Sequence, residues 1–325
     1  MLGLKFTDRT FRFANLLNLH DALRLTSAGA GLIPFTSMDR GLIRPEGITP
    51  MLDVLDRSLD RESVERSGVV VVLDGRVAVR ALFPCQGDFL SDSESLGEKV
   101  RWEIGTRCNG TVPEQQLHVE WNVRTISQGV HVIDAWGIPS EILERYEEVI
   151  DGVGCHVAAW DCDPLALTRF VRTCALQSDG EDDGNAVAAA HVEAESLEIT
   201  LIRGSESVGA TSLRSESTTT DSNQWNSDEP EAVAVEIKRS LGELGQRWFP
   251  AGQEGSVERV YFTGSVENPD SLLAALVRIF PSRIEMIDIR SRIEIDETLA
   301  TSPLIESNLG SFALCIGGAL AAAGS

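Results

Sequence analysis

The amino-acid sequence predicts an α/β protein made of two similar halves in one chain. Strand hairpins at 3–14 and 186–202 each begin a series in which helices and strands alternate. A smaller helix-and-hairpin unit at 84–138 interrupts the first series. Because 42% of the 325 residues are hydrophobic, each half can bury a core of its own.

The first hairpin lies in the segment GLKFTDRTFRFA. Leu4 and Phe6 precede a polar break, and Phe11 and Phe13 follow it. Apolar residues at alternate positions on both sides of a short polar break predict a strand, a tight turn and a second strand.

A helix and a second strand pair are expected next. Thr49 is the predicted N-cap of a helix of about four turns. The apolar face of this helix carries Leu52, Leu55 and Leu59. Asp74 and Gly75 then stand between two β-branched runs, which is the usual signal for a two-residue hairpin.

The interrupting unit combines a helix with a strand hairpin. Leu96, Val100 and Ile104 recur at helical spacing, and 117–137 alternates as two strands around a glycine-containing turn. Three of the six tryptophans of the chain lie in this unit, namely Trp102, Trp121 and Trp136.

The segment WDCDP offers three possible metal ligands, but a structural role is favoured. Asp163 precedes a proline at the start of a helical pattern, so it is predicted to cap that helix. Core packing is favoured over a metal-binding role for the segment as a whole. The sequence therefore predicts no metal site here.

The second half is predicted to begin near residue 185, after an acidic turn. The stretch 205–230 is dense in Ser, Thr, Asp and Glu and predicts a mobile loop. An amphipathic helix at 231–248 follows, then a strand, a helix capped by Asn268, and another strand. The apolar run from Leu309 is shorter than the ~18 residues of a membrane helix and predicts a buried terminal helix.

Composition excludes several classes of partner. The net charge of −22 disfavours nucleic acid and anionic lipid surfaces. Only three lysines occur, which weakly favours a saline cytoplasm over an ordinary acidic protein. The six cysteines show no zinc spacing and are expected to be reduced thiols. No signal peptide is expected, so the predicted location is the cytoplasm.

Four stretches, in their order along the chain, resemble the PilM proteins of type IV pilus assembly. They are VRWEI, ILERYEEVIDGVGCHVAAWDCDPLALTR, VERVYFTGSVENPDSLLAALVRIFPSRIEMID and SNLGSFALCIGGALA. The resemblance implies an actin-like fold, with duplicated ribonuclease H-like domains, an inserted α+β subdomain and a reduced second-half subdomain. The expected division is 1–83 with 139–184, the insert 84–138, and 185–325, with the terminal helix at about 309–323 a candidate to return to the first domain.

The sequence departs from the nucleotide-binding members of this family. Their two hairpins read like DIGSSS or DIGATS, in which the glycine admits phosphate and the aspartate serves the metal. Here Lys5 and Thr7 stand at those positions of the first hairpin, and His191 and Glu193 at those of the second. A carboxylate at the place of a triphosphate is strongly repulsive when poorly solvated.

Two further departures also weaken a nucleotide site. The adenosine loop keeps Gly264, but Ser265 follows where the family has a second glycine. Family members place a helical subdomain before the helix at 231–248, whereas a short polar stretch fills that interval here. The resemblance therefore implies a pseudo-ATPase without cofactor or metal.

The resemblance implies a cytoplasmic scaffold of a type IV pilus or related secretion machine. In the family, the cytoplasmic tail of a PilN-like inner-membrane protein lies in a groove between the insert and the first half. The three tryptophans of the insert are candidate anchors, although each alone more often fills a core. Recruitment to the inner membrane by this partner, without insertion of the chain itself, is expected.

Two alternatives stay open at this point. One is a working actin-like ATPase with atypical loops. The other is a component similar to the cytoplasmic part of GspL in type II secretion, which would normally continue into a membrane helix not expected in this sequence. Fold-level analogy does not separate these machines, and the oligomeric state is open.

Overall fold

The computed structural model describes most of the chain. The described residues are 1–19, 22–39, 41–85, 93–108, 113–127, 130–176, 186–194, 196–204, 206–214, 229–248, 257–265, 268–280 and 283–323. The strands are β1 (Leu2–Phe6), β2 (Thr10–Leu19), β3 (Ala22–Leu32), β4 (Met38–Asp39), β5 (Leu42–Ile43), β6 (Gly68–Leu73), β7 (Val79–Cys85), β8 (Leu117–Ser127), β9 (Val130–Pro139), β10 (His156–Cys162), β11 (Ala186–Val192), β12 (Ser196–Arg203), β13 (Glu206–Arg214), β14 (Arg259–Gly264), β15 (Arg283–Met286) and β16 (Ile293–Ile295). The helices are α1 (Ile48–Arg61), α2 (Ser93–Arg107), α3 (Ser140–Gly152), α4 (Asp163–Cys174), α5 (Pro230–Trp248), α6 (Pro269–Ile279), α7 (Glu297–Ala300), α8 (Pro303–Asn308) and α9 (Ala313–Ala323).

The first half is built on a six-stranded sheet in the order β10-β6-β1-β2-β3-β16. β1 and β2 form the predicted hairpin, in which Leu4 pairs with Phe13 and Phe6 with Phe11. All four side chains are buried, because the alternating pattern turns them toward α1 and α3. On the other face of the sheet, α4 and α9 cover Ala14, Leu16 and other small or aliphatic residues.

The predicted hairpin at Asp74 and Gly75 is wrong. β6 pairs with β1 on one side and β10 on the other, so neither of its edges is free for β7. A turn closed by a hydrogen bond from Val77 N to Asp74 O, 2.9 Å, instead carries the chain into a different sheet. The dipeptide does form a turn, but its neighbours are not paired with each other.

That different sheet has three strands in the order β7-β9-β8 and packs against α2. Leu96, Val100 and Ile104 of α2 are buried together with Ile133 and Ala135 of β9. The sheet takes in β7 from Val79 onward. The helix and the strand hairpin expected from the sequence are both present.

The second half is built on a five-stranded sheet in the order β13-β12-β11-β14-β15, with α5 and α6 on one face. β11 and β12 form the second predicted hairpin. The predicted loop at 205–230 is wrong for its first part, because 206–214 form β13, paired antiparallel with β12. Backbone hydrogen bonds stabilise this polar strand without a run of apolar side chains, and 215–228 lie outside the described residues.

The two helix caps predicted from the sequence differ in outcome. Asn268 caps α6 as predicted, since its side chain accepts a hydrogen bond from Ser271 N. Thr49 does not cap α1, which begins one residue earlier at Ile48 after Gly47. A side chain at Gly47 would meet the backbone of Ser37, and this close approach explains the glycine.

The terminal helical segment is longer than the sequence predicted. Helical turns continue from Pro303 to Ala322, 20 residues that are long and apolar enough to cross a membrane by composition. More than half of this segment is buried inside the fold. α9 packs closely on β1 and α4, because a Cβ on Gly3 would lie 1.9 Å from Cys315 O and one on Gly317 would lie 2.0 Å from Ala166 O.

Candidate functional site

The two hairpin turns meet at the junction between the halves. Arg12 of β2 donates from Nη2 to Glu193 Oε2 over 2.7 Å. Asp8, in the first turn, accepts a hydrogen bond from Arg214 of β13 and another from Gly41 N, 2.7 Å away. Charged side chains of one half are therefore paired with those of the other. They lie at the hairpin turns, where the family resemblance predicts that phosphates would bind.

Lys5 lies at the centre of this junction with its side chain buried. Its ammonium donates to Asp163 Oδ1, and Asp163 Oδ2 accepts from Gly75 N at 3.2 Å. These residues meet because β1, β6 and β10 are parallel neighbours whose carboxyl ends share one edge. Burial opposes the charge of Lys5, but Asp163, Asp74 and Glu198 outweigh it and raise the pKa of Lys5.

Asp163 does not cap α4 as the sequence predicted. Cys162 occupies the N-cap position without a side-chain bond, and Asp163 binds Lys5 instead. Asp161, the other candidate ligand of the WDCDP segment, pairs with Arg169. Within the described ranges, no group of three His, Cys, Asp or Glu side chains is arranged to hold a metal ion.

Thr7 closes the turn between β1 and β2. Its backbone N–H donates to Thr10 O over 2.7 Å, and its hydroxyl oxygen accepts from Thr10 N over 3.0 Å. A phosphate-binding turn must offer free backbone N–H groups to the anion. Because the N–H of Thr7 already has a partner, this turn does not offer it.

His191 and Glu193 form the corresponding part of the second hairpin. His191 Nε2 lies 3.1 Å from Glu193 Oε1, and both side chains are buried. Burial alone would raise the pKa of Glu193, but the contacts with His191 and Arg12 lower it. Glu193 therefore favours its carboxylate form where an anionic ligand would have to approach.

Gly264 and Ser265 contact the backbone of Val192, at the end of β11. Gly264 has φ +122°, and a Cβ there would lie 1.9 Å from Val192 O. Ser265 N donates to Val192 O at 2.9 Å, and Ser265 Oγ donates to Asn308 Oδ1 at 3.3 Å. The glycine is required by this backbone approach, irrespective of any nucleotide.

β12 and β13 close the junction from the side of the second half. A Cβ on Gly75 would lie 2.4 Å from Ser212 Oγ and 3.2 Å from Glu198 Oε2. Ser212 donates its hydroxyl to Glu198. Burial raises the pKa of Glu198 well above its usual range, and Asp163 adds to the effect, so the protonated form is favoured.

Arg80 joins the inserted sheet to the second half. Its guanidinium makes a bidentate pair with Asp134, with distances of 2.8 and 2.7 Å. It also donates to Ser207 Oγ at 2.9 Å and to Ser207 O at 2.6 Å. Because Asp134 is on β9 and Ser207 is on β13, one side chain connects the inserted sheet with the second half.

Sequence reasoning missed most of the charged groups at the junction. One signal could have found Arg12, which is a charged residue between Phe11 and Phe13 in an otherwise apolar strand. The missed residues are Asp8, Arg12, Arg80, Glu198 and Arg214. Their partners are distant in the chain, so pairing could not be derived from spacing.

The three tryptophans of the insert do not share one surface. Trp102 on α2 is 56% exposed, whereas Trp136 is 7% exposed and belongs to the core of the first half. The ring of Trp136 lies 5.8 Å from that of His118, so these residues fill the point where the insert meets the first half. Trp121 is half-buried beside Gly97 of α2.

A surface depression of about 770 Å³ lies beside Trp102. It is lined from α2 by Glu98, Lys99, Arg101 and Trp102, and from the turn before β8 by Glu114. Of the three tryptophans, Trp102 is thus the one that presents its ring to a surface where a partner could bind.

Comparison with solved structures identifies the fold. The structure described as "PilM-PilN type IV pilus biogenesis complex" matches with a TM-score of 0.73 and 18% sequence identity, over 98% of this chain and 97% of that chain. The protein has an actin-like fold. An actin-like protein of unknown function from Bacteroides thetaiotaomicron matches with TM-score 0.46 and 12% identity, over 97% of this chain and 94% of that chain.

The cytoplasmic domain of EpsL, an inner-membrane component of the type II secretion system of Vibrio cholerae, is also similar. It matches with TM-score 0.46 and 10% identity, over 98% of this chain and 94% of that chain. No family model matches the sequence, and the search of curated proteins found no match.

Proposed function

We propose that this protein is a non-catalytic scaffold of a type IV pilus or related secretion machine. In this proposal it binds the cytoplasmic tail of a PilN-like inner-membrane protein and is thereby held at the membrane from the cytoplasmic side. The observation that carries the proposal is that Lys5 pairs with Asp163 and Arg12 with Glu193, at positions where the resemblance leads us to expect metal and phosphate.

The pairing at the junction opposes nucleotide binding for two physical reasons. A triphosphate would have to separate Arg12 from Glu193, leaving a buried carboxylate beside a highly charged anion. It would also approach a chain of net charge −22, whose long-range field repels anions. The scaffold therefore needs no nucleotide to keep its halves together.

The fold supports a role in such a machine. One structure that it matches along almost its whole length is described as a PilM-PilN complex. Exposed Trp102 and the depression beside it provide an aromatic anchor of the kind that dominates many protein interfaces. We take this surface, and not the buried Trp136, as the candidate contact with the partner.

The test is co-expression of the full chain with a membrane protein that has one N-terminal membrane span and is encoded next to it. We expect the two to co-purify, and ATP depletion with apyrase should leave their ratio unchanged. Trp102→Ala should reduce recovery at least fivefold. Phe35→Ala, which removes a ring that is 81% exposed elsewhere, is the matched control and should have no effect.

Two results would contradict the proposal. The first is the absence of any association with single-span proteins encoded nearby. The second is an association that appears only with MgATP, since that would require a working nucleotide site.

A further inference from the structure

One acidic side chain of the second half, Glu198, faces the first half from the inner side of β12. Along this strand Glu198 and Thr200 alternate with Leu197 and Ile199, which belong to the core beneath α5 and α6. The side chain of Glu198 therefore lies on the opposite face, against α4 and the turn that follows β6. Glu198 is only 4% exposed, so its carboxyl group is removed from water.

Among the described residues, Glu198 has no basic partner of its own. Its Oε2 accepts the hydroxyl of Ser212, and within the same ranges its Oε1 has no hydrogen-bond partner. The neighbouring carboxylates, in contrast, are each bound to a basic side chain. These pairs are Lys5–Asp163, Arg76–Asp74 and Arg80–Asp134. An ionised Glu198 would therefore add a buried negative charge that these pairs do not compensate.

Groups on every neighbouring element face Glu198. His191 is its register partner on β11, and Ser212 is its register partner on β13. His191 Nε2 lies 3.1 Å from Glu193 Oε1, so the imidazole is directed to another carboxylate. The charged groups that act on Glu198 from the first half and the insert are Lys5, Asp74, Asp163 and Arg80. Burial raises the pKa of Glu198 well above its usual range, and the nearby carboxylates add to this effect.

The closed junction leaves little room to hydrate an ionised Glu198. A Cβ on Gly75, in the turn after β6, would lie 3.2 Å from Glu198 Oε2. Because Gly75 and Glu198 belong to different halves, water can surround the carboxylate only when β12 moves away from that turn. Ionisation of Glu198 is thus favoured in an open junction and disfavoured in a closed one.

We propose that protonated Glu198 holds the two halves together as a pH-sensitive latch. When Glu198 ionises, the second half separates from α4 and from the turn after β6, while each sheet stays folded. This inference does not rest on the proposed function, because it concerns only how often the junction between the halves opens.

The latch has a defined dependence on pH. In the open junction Glu198 is solvated and has an ordinary pKa, so the open state binds fewer protons than the closed state above about pH 4.5. The opening equilibrium constant should therefore increase about tenfold per pH unit. The increase should stop at the pKa that Glu198 has in the closed junction.

A cysteine on the inner face of β12 can report the opening. Thr200 is fully buried on this face, and its hydroxyl has no hydrogen-bond partner in the described part of the chain. Thr200→Cys therefore changes the side-chain volume little and loses no hydrogen bond. The new thiol can react with dithiodipyridine only when the halves separate or the whole chain unfolds. Native Cys155, buried in the core beneath α1 and α3, reports unfolding alone.

The labelling rate of each thiol is divided by its rate in the urea-unfolded chain at the same pH, which gives the opening equilibrium. We expect this normalised rate at position 200 to increase about tenfold per pH unit above pH 5. It should exceed the normalised rate of Cys155 at least about tenfold at every pH, because the sheets stay folded. Equal rates at the two positions would overturn the inference, since only global unfolding would then expose β12.

Two glutamine variants in the Thr200→Cys background test whether Glu198 is responsible. Glu198→Gln keeps an acceptor for Ser212 but cannot ionise, so the normalised rate at position 200 should no longer depend on pH. Glu236→Gln makes the same chemical change on α5, where Glu236 pairs with Arg239, and should keep the slope of the parent. A slope that persists in Glu198→Gln would overturn the inference, because another group would then control the opening.

Hydrogen exchange is a second measurement that needs no added cysteine. β13 is an edge strand whose Arg214 binds the first turn and whose Ser207 binds the insert, so its amides should lose protection when the halves separate. Protection of 206–214, corrected for the intrinsic exchange rate, should decrease about tenfold per pH unit in the wild type and stay constant in Glu198→Gln. The same pH dependence in both proteins would refute the latch.

Discussion

At the scale of single residues, the junction between the halves holds largely buried charges in pairs. The pair Arg12–Glu193 is largely buried, with side-chain exposures of 17% and 10%. Removing Arg12 leaves the buried Glu193 carboxylate with only His191 beside it, and losing one member of a buried pair costs far more than the pair itself contributes. This asymmetry makes the junction sensitive to single substitutions.

Arg12→Met should lower the free energy of unfolding by about 3 kcal/mol, because Glu193 is then left without its guanidinium. Urea unfolding measures the change. Adding Glu193→Met should cost less than the sum of the two single changes, as expected for coupled partners.

The exposed pair Arg239–Glu243 on α5 provides the matched control. Its side chains are 54% and 53% exposed, so Glu243→Met should change stability by no more than about 0.5 kcal/mol. Equal effects of the Glu193 and Glu243 substitutions would contradict the assignment of a buried, coupled pair at the junction.

Glu198 should make stability decrease as the pH rises. Its pKa is raised in the folded state by burial and by Asp163, so the folded protein holds a proton that the unfolded chain loses above about pH 4.5. The contribution of Glu198 to the free energy of unfolding is fully present below that pH. It is lost as the pH rises through the pKa of Glu198 in the folded state. Lys5, Asp74 and Ser212 complete its surroundings.

Glu198→Gln removes this titration while keeping an acceptor for the Ser212 hydroxyl. The unfolding temperature of the variant minus that of the wild type should therefore increase from pH 5 to pH 8. Thermal scans at several pH values measure it. A constant difference, or one that decreases, would show that Glu198 titrates normally.

At the scale of elements, the close packing of α9 on α4 depends on a small residue. A Cβ on Gly317 would lie 2.0 Å from Ala166 O, so the two helices could not keep their distance if the glycine were larger. α9 also covers β1, the strand that carries Lys5. The packing of this terminal helix therefore positions the residues of the junction.

Gly317→Ala should lower stability by about 1–3 kcal/mol through overpacking. Gly242→Ala on α5 is the control, because its new Cβ would meet nothing within 4 Å. That change should raise stability by up to about 1 kcal/mol through helix propensity. Chemical denaturation compares the two, and a shift of the same sign in both would contradict the close helix contact.

Local patterns explain which elements could be predicted from the sequence. Apolar residues alternate on both sides of residues 7–9, and Leu96, Val100 and Ile104 recur at helical spacing. Each pattern lies within one hairpin or one helix, so both could be recognised in the sequence. β13 was missed because it is a polar strand, which is stabilised by pairing with β12 and not by an apolar pattern of its own. The pairing of β7 was predicted wrongly, because it depends on which strands already flank β6.

At the scale of the whole molecule, three kinds of contact hold the halves together. The hydrophobic core formed by α4 and α9 also includes Ala189, Ile202 and Tyr261 from the second sheet. Arg80 connects the insert to β13, and the pair of Asp8 with Arg214 connects the first turn to the same strand. From sequence alone the unusual residues Lys5, Thr7, His191 and Glu193 were visible, but the ion pairs that join the halves needed the folded structure.

Titration of the full chain with MgATP by calorimetry tests whether the protein's own charges close the junction between the halves. We expect no binding heat at low or at high salt, because charge screening leaves the occupied backbone donor of Thr7 and the buried Glu193 unchanged. Thr7→Gly combined with Glu193→Gly should also bind poorly, since Lys5 and His191 remain where the metal needs carboxylates. Saturable binding of MgATP to the wild type with micromolar affinity would contradict a closed junction.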